Sequence, residues 1–181
     1  ITLSAEAQTN SYRHPATGLT FPDSVEGIVR GEVTDYEGKN PGLGVSVAYD
    51  RPGITVTVYL YTLGLRSISS DIASPILKEH FNQVIQDIYK VEELGYYKNV
   101  KNLAQGTTFL KQDNTGPKAL FASLSYVQSG TDRLSKLYLL GHKNHFVKIR
   151  FTYDKAVQKY SEETLKQFLN EIGAMLQRNS L

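Results

Sequence analysis

Residues 54–61 alternate strictly between apolar and polar or aromatic side chains, and this pattern constrains the fold more than any other in the chain. Successive side chains of a β-strand point to opposite faces of its sheet, so the alternation predicts a strand with one buried face. Two strand-like stretches precede it, at 28–37 and 43–50, and turns rich in Gly and Pro connect all three. Because a parallel pair needs a long crossover, the three strands are predicted to form an antiparallel meander.

Two later segments replace this period of two residues with the 3.6-residue period of a helix. Between Ser74 and Leu94 the apolar residues form one stripe, and Gly95 suits the exit from a helix. A second stripe covers 162–177, with Ser161 as its predicted N-cap. A short hairpin is predicted at 12–21, and three more strands are predicted at 120–127, 134–140 and 146–153.

These elements predict an α+β fold, in which two long amphipathic helices pack on an antiparallel β-sheet meander. No repeat, low-complexity run or linker divides residues 12–181, so they are predicted to form a single domain. The pattern leaves open whether both helices cover one face of the sheet or enclose it as an α/β/α sandwich.

Residues 1–11 are predicted to be either a disordered N-terminal tail or the remnant of a signal peptide. The segment Ala5-Glu6-Ala7 has the small-x-small form of a signal-peptidase site. A signal peptide predicts a periplasmic or secreted protein, whereas a frayed terminus leaves the cytoplasm open.

The composition excludes several classes of function. A net charge of +2, with Lys and Arg scattered along the chain, argues against nucleic acid as a partner. No run approaches the roughly 20 apolar residues that a transmembrane helix needs. The absence of Cys excludes disulfides, thiolate zinc sites and Cys nucleophiles. No pattern indicates a cofactor, and none indicates an oligomeric state.

Two motifs are similar to catalytic ones but lack the structural context that the chemistry needs. The glycine pair Gly42 and Gly44 would have to lead into a helix to bind a phosphate, and it leads into a predicted strand instead. Ser46 lies inside the same strand and not on the strained turn of a nucleophile elbow. No catalytic residues are therefore predicted.

His142 and His145 flank a predicted two-residue turn, where they would face each other at about 5 Å between Cβ atoms, close enough to share a metal. A metal site also needs a third ligand, and no acid lies near them in the hairpin. Together with the carboxylates of Asp35 and Glu37, the two histidines define an alternative hypothesis, a metal-dependent or hydrolytic enzyme acting at the hairpin tip. The other interpretation is that they are solvated loop histidines.

An aromatic and basic surface is the preferred candidate for binding. Tyr59 and Tyr61 alternate out of phase with the apolar residues of their strand, and Lys148 and Arg150 do the same in theirs. One face of the sheet is therefore predicted to carry Tyr, Thr, Lys and Arg, a surface suited to a peptide, a partner protein or an anionic ligand. In the alternative interpretation the second helix covers this face and the tyrosines are packing residues.

The order of elements resembles one known family. The segment that opens it has a Tyr-x-x-Pro-x-x-Gly-Leu-x-Phe-Pro pattern, and residues 145–153 form a strand near the end; the pattern residues are Tyr12, Pro15, Gly18, Leu19, Phe21 and Pro22. The chain is similar in this respect to the PsbP-like α/β/α sandwich of photosystem II accessory proteins and exported bacterial relatives of unknown function. The resemblance implies a non-enzymatic, exported domain with helices on both faces of the sheet. It carries over no functional residues.

Three hypotheses of function follow. The first is an exported bacterial protein that acts as a non-catalytic binding or accessory module for an unidentified protein or small ligand. The second is the enzyme at the histidine hairpin described above, and the third is a purely structural subunit.

Overall fold

The computed structural model describes residues 10–180, and the Ala5-Glu6-Ala7 segment lies outside this range. The strands are β1 (Tyr12–Arg13), β2 (Thr20–Phe21), β3 (Ser24–Val25), β4 (Ile28–Asp35), β5 (Val45–Arg51), β6 (Ile54–Tyr61), β7 (Lys98–Phe109), β8 (Lys118–Gln128), β9 (Thr131–His142) and β10 (His145–Asp154). The helices are α1 (Pro75–Glu93) and α2 (Gln158–Asn179). Eight antiparallel strands form the central sheet in the order β3-β4-β5-β6-β10-β9-β8-β7, and β1 and β2 form a separate hairpin.

The two helices lie on opposite faces of the sheet. Val56 and Val58 of β6 are fully buried in the core that includes α2, where the ring centres of Tyr49 and Phe168 are 5.4 Å apart. The stripe of α1 packs in a second core with side chains from the other face of the sheet, such as Leu137. The predicted α+β fold is confirmed, and of the two arrangements left open the chain adopts the α/β/α sandwich.

The sequence patterns failed to predict strand β7, which covers Lys98–Phe109 at one edge of the sheet. Most of its side chains are exposed, and Val100 is its one buried residue. Two irregularities also interrupt its register with β8. A strand without a buried face has no hydrophobic alternation, so the signal that identified β6 is missing here.

The predicted start of the second helix was wrong. Helix α2 begins at Gln158 after a short 3-10 turn, so Ser161 lies inside the first turn and does not cap it. The Ser161 hydroxyl donates a hydrogen bond to the carbonyl of Val157 at 2.8 Å. Serine inside a helix often bonds to the carbonyl four residues before it, and this use cannot be distinguished from capping by residue type alone.

Within residues 10–180, neither helix combines the length and the apolar character that a membrane span requires.

The loop between β4 and β5 is organised by the carboxylate of Glu37. This carboxylate accepts hydrogen bonds from the backbone N–H of Gly42 at 3.0 Å and of Gly44 at 2.8 Å. Gly44 has a φ of +62°, and a Cβ at this position would lie 1.8 Å from the carbonyl oxygen of Leu60. Gly44 therefore allows the loop to lie close to the backbone of β6, where a residue with a side chain would clash.

Candidate functional site

A cleft of about 380 Å³ opens along the side of α1. The strand residues that pack in the core with α1 come from β6 to β10, and none within residues 10–180 comes from β4 or β5. The helix therefore covers only part of its face of the sheet. The cleft lies beside the part of the sheet that α1 covers, between α1, the β4–β5 loop and the segment that follows β6.

The floor of the cleft consists of the four residues predicted as a binding surface. Tyr59 and Tyr61 of β6 and Lys148 and Arg150 of β10 all line it. The two strands are paired, with Lys148 directly opposite Tyr59 in the register. Both predicted pairs are thus brought together on one surface, on the same face as α1.

Lys148 lies over aromatic rings and has no carboxylate partner. Its Nζ is 4.2 Å from the ring centre of Tyr59 and 5.5 Å from that of Tyr61, distances at which a cation interacts with the face of a ring. Among the described residues, its ammonium group makes no hydrogen bond or salt bridge. The pKa of Lys148 is lowered to about 8, mainly by burial and also by the neighbouring Arg150, while Asp87 opposes this shift.

Arg150 is held in place by neutral groups. Its Nε donates to the hydroxyl of Ser135 at 3.2 Å, and its Nη2 donates to the hydroxyls of Tyr97 at 3.3 Å and Tyr126 at 3.2 Å. The rings of these two tyrosines stack with their centres 4.0 Å apart. The guanidinium is therefore fixed in position while its charge is not neutralised by a carboxylate of the described chain.

The walls of the cleft are largely apolar. Val84, Ile88 and Val91 contribute the α1 side. On the opposite side, Leu43 and Leu63 are each 47% exposed, although leucine is usually buried. Apolar walls above a cationic floor give the cleft an amphipathic lining.

His80 and Asp87 supply the remaining polar groups on the α1 side. His80 Nε2 and the hydroxyl of Tyr61 are 2.7 Å apart, and the histidine ring packs on Phe146 with the ring centres 4.4 Å apart. Burial lowers the pKa of His80, and the neighbouring Lys148 lowers it further. Asp87 forms a salt bridge with Lys90 at 3.0 Å, so its carboxylate already has a cationic partner.

Sequence reasoning missed His80, Tyr97 and Tyr126 as parts of this site. His80 lies one turn before Val84 on the helix stripe, where it could have been noticed as a polar residue beside apolar ones. Tyr97 reaches Arg150 from the connection before β7 and Tyr126 reaches it from β8, and no spacing in the sequence indicates that they meet there.

His142 and His145 face each other across the turn as predicted, since they are paired in the β9–β10 register. Lys143 and Asn144 both have positive φ, which is typical of a two-residue hairpin turn. His142 is 7% exposed and its Nε2 lies 2.7 Å from Oδ1 of Asn179, so it is not the solvated loop residue of the simpler interpretation. Within residues 10–180 no group of three or more His, Asp or Glu side chains is arranged to hold a metal ion.

Asp35 and Glu37 do not form a free carboxylate pair. The Asp35 carboxylate accepts a hydrogen bond from the backbone N–H of Glu37 at 2.8 Å, while Glu37 holds the glycine loop described above. Both line a small cavity of about 250 Å³ together with His14 and His145. The ring centres of these two histidines are 5.4 Å apart.

His14 is expected to make stability depend on pH. It is 4% exposed, and its Nδ1 accepts a hydrogen bond from the backbone N–H of Thr17 at 3.2 Å, which requires an unprotonated Nδ1. The pKa of His14 is lowered to about 4, mainly by burial and also by the neighbouring His145, while Asp35 opposes this shift. Between pH about 6.5 and about 4, His14 is therefore protonated in the unfolded chain but neutral in the folded chain. The free energy of unfolding should decrease as the pH falls through this range.

The contribution of His14 is expected to be on the order of 3 kcal/mol. Urea unfolding at several pH values, with the variant His14→Gln as the control, measures it. The variant should lose less stability on acidification than the wild type. Identical pH profiles of the two proteins would contradict this assignment.

Comparisons with known proteins identify the fold. No protein-family model matches the sequence, and no curated protein matches it significantly. The solution structure of cyanobacterial PsbP (CyanoP) from Synechocystis sp. PCC 6803 is similar, with a TM-score of 0.53 and 8% sequence identity over 97% of this chain and 96% of that chain.

Two further structures are similar at lower scores. A protein of unknown function from Pseudomonas aeruginosa has a TM-score of 0.41 and 12% identity, over 91% of this chain and 95% of that chain. The Ran-binding protein Mog1p of Saccharomyces cerevisiae has a TM-score of 0.35 and 10% identity, over 84% of this chain and 94% of that chain. At such identities the likeness concerns the fold alone. The resemblance found in the sequence is confirmed at this level: the chain has the PsbP-like α/β/α fold.

Proposed function

We propose that this chain is a non-catalytic binding module of an exported bacterial protein, and that the cleft beside α1 is its binding site. The observation that carries the proposal is the pair of cations on the cleft floor, Lys148 and Arg150, which have no carboxylate partner among the described residues. Export is supported by the small-x-small segment at Ala5-Glu6-Ala7.

The free energy lost when an unpaired cation is partly buried favours a binding role for Lys148 and Arg150. A half-buried ammonium group loses hydration, and a fold gains stability when such a group is paired with a carboxylate or replaced by an apolar side chain. Lys148 is neither paired with a carboxylate nor replaced by an apolar residue, and burial together with Arg150 lowers the pKa of its amine to about 8. Charged groups with perturbed pKa values in a cleft are typical of functional sites.

The lining of the cleft also fits binding better than catalysis. A few polar groups that converge inside an otherwise apolar concavity are the usual composition of a ligand site. The exposed Leu43 and Leu63 at its rim are apolar surface that a bound ligand would remove from water.

The proposal predicts that the chain binds the anionic fluorescent dye anilinonaphthalene sulfonate (ANS) in this cleft. The wild-type protein should enhance the fluorescence of the dye, and the variant Lys148→Met should bind it about 10-fold or more weakly, because a charge-assisted contact is lost. The measurement is a fluorescence titration at pH 7, with circular dichroism to establish that each variant is folded.

Lys136→Met is the matched control. Lys136 is also a half-buried lysine of the sheet, but it lies in the register opposite Phe151 on the α2 face and donates to Ser123 at 2.8 Å. Its removal should leave dye binding unchanged. Absence of dye binding to the folded wild type, or equal affinities in all three proteins, would contradict the proposed site.

A further inference from the structure

We infer that the ligand of this cleft is a medium-chain aliphatic carboxylate, with its head group between Lys148 and Arg150 and its hydrocarbon chain along α1. The inference rests on the proposed function and adds to it the chemical class of the ligand.

The position of the head group follows from the two cations. Lys148 and Arg150 are two residues apart on β10, so they point to the same face with their Cα atoms about 7 Å apart. Three hydrogen bonds occupy Nε and Nη2 of Arg150, whereas Nη1 makes none within the described chain. Nη1 of Arg150 and Nζ of Lys148 can each donate one hydrogen bond, one to each oxygen of a single carboxylate.

The charge balance of the cleft favours a monoanion. Because Nε and Nη2 of Arg150 are already engaged by Ser135, Tyr97 and Tyr126, the guanidinium cannot form its usual bidentate contact with any oxyanion and offers only Nη1. The carboxylate of Asp87 also lines the cleft and would repel a dianion more strongly than a monoanion. A carboxylate head therefore suits this floor better than a phosphate.

The body of the ligand follows from the walls and the volume. The walls are aliphatic on both sides, with Val84, Ile88 and Val91 facing Leu43 and Leu63. At roughly 30 Å³ for each water-sized atom, the cavity of about 380 Å³ holds about a dozen non-hydrogen atoms. Decanoate has this size and is the probe chosen for the test.

The test is displacement of ANS by four competitors, namely decanoate, methyl decanoate, decyl phosphate and acetate. We expect decanoate to displace the dye at a concentration at least 10-fold lower than each of the others. Methyl decanoate lacks the charge, acetate lacks the apolar body, and decyl phosphate carries the wrong head group.

Two substitutions test which residues contact the head group of the ligand and which contact its hydrocarbon chain. Binding of decanoate, measured directly by calorimetry, should weaken at least 10-fold in Lys148→Met and several-fold in Leu63→Asn, and should be unchanged in Lys136→Met. Leu63 is exposed and has a φ of +52°, a conformation that asparagine tolerates well, so this variant should fold.

The outcomes separate the two proposals. If ANS binds in a Lys148-dependent way but decanoate does not displace it, the ligand class is wrong and the binding site stands. If decyl phosphate or methyl decanoate competes as well as decanoate, the carboxylate assignment is overturned. If ANS does not bind the folded wild type and calorimetry detects no decanoate binding, both proposals fail.

Discussion

Replacing Gly44 by alanine is expected to lower the free energy of unfolding by about 4 kcal/mol or more, which is a large share of the roughly 5–15 kcal/mol typical of a domain. The new Cβ would lie 1.8 Å from the Leu60 carbonyl oxygen and 2.8 Å from the Cα of Tyr61. These are backbone atoms of β6 and cannot rotate away, so the strand itself must move. The φ of +62° adds the strain of a left-handed conformation in a residue with a side chain. Urea denaturation followed by circular dichroism measures the loss.

Gly64→Ala is the matched control for this prediction. Gly64 also has a positive φ, of +76°, but no atom lies within 4 Å of its added Cβ. Only the backbone strain remains, and we expect a loss of about 1 kcal/mol. Similar losses at the two positions would mean that the contact with β6 is not the cause.

The substitution Ile85→Asp is expected to have the second largest effect, a loss of about 4 kcal/mol. Ile85 is 5% exposed and lies on the face of α1 that packs in the core with Leu137. An aspartate there would be either a buried charge without a partner or a protonated acid in an apolar contact, and both are unfavourable. Because α1 forms one wall of the cleft, the same variant should bind ANS weakly at temperatures at which it remains folded. Stability is measured by urea denaturation and binding by the dye titration.

Gln86→Asp provides the comparison, since Gln86 is the next residue on α1 and is exposed. It introduces the same side chain into the same helix, and the expected loss is about 0.5 kcal/mol, from helix propensity alone. Equal destabilisation by both aspartates would show that helix propensity, and not burial, determines the result.

Local periodicity predicted the elements with a buried face and failed for the one without it. Strand β6 and helix α1 each bury one side, so apolar residues recur at the strand or helix period, and both were predicted within a residue or two. Strand β7 is exposed on both sides over most of its length, and its identity as a strand depends on pairing with β8. Backbone pairing of this kind produces no hydrophobic alternation within β7 itself, even though β8 is the next strand in the chain.

The same distinction applies to the cleft. Alternation along β6 and β10 placed Tyr59, Tyr61, Lys148 and Arg150 on one face of the sheet, and the structure brings them together there. Whether this face is open could not be predicted, because the lateral position of α1 depends on how its stripe packs against β7 to β10. The sequence pattern is compatible with a Tyr, Lys and Arg face that is either fully covered by a helix or fully open. The helix instead covers part of the face and becomes a wall of the site.

The clustering of tyrosines around the cleft has a practical consequence for spectroscopy. The chain has no tryptophan and twelve tyrosines, so its ultraviolet emission comes from tyrosine alone. Tyr36, Tyr59 and Tyr61 line the cleft, and Tyr97 and Tyr126 hold the guanidinium on its floor. Five of the twelve tyrosines thus lie around this one surface. The unlabelled protein carries its own optical reporter of cleft occupancy.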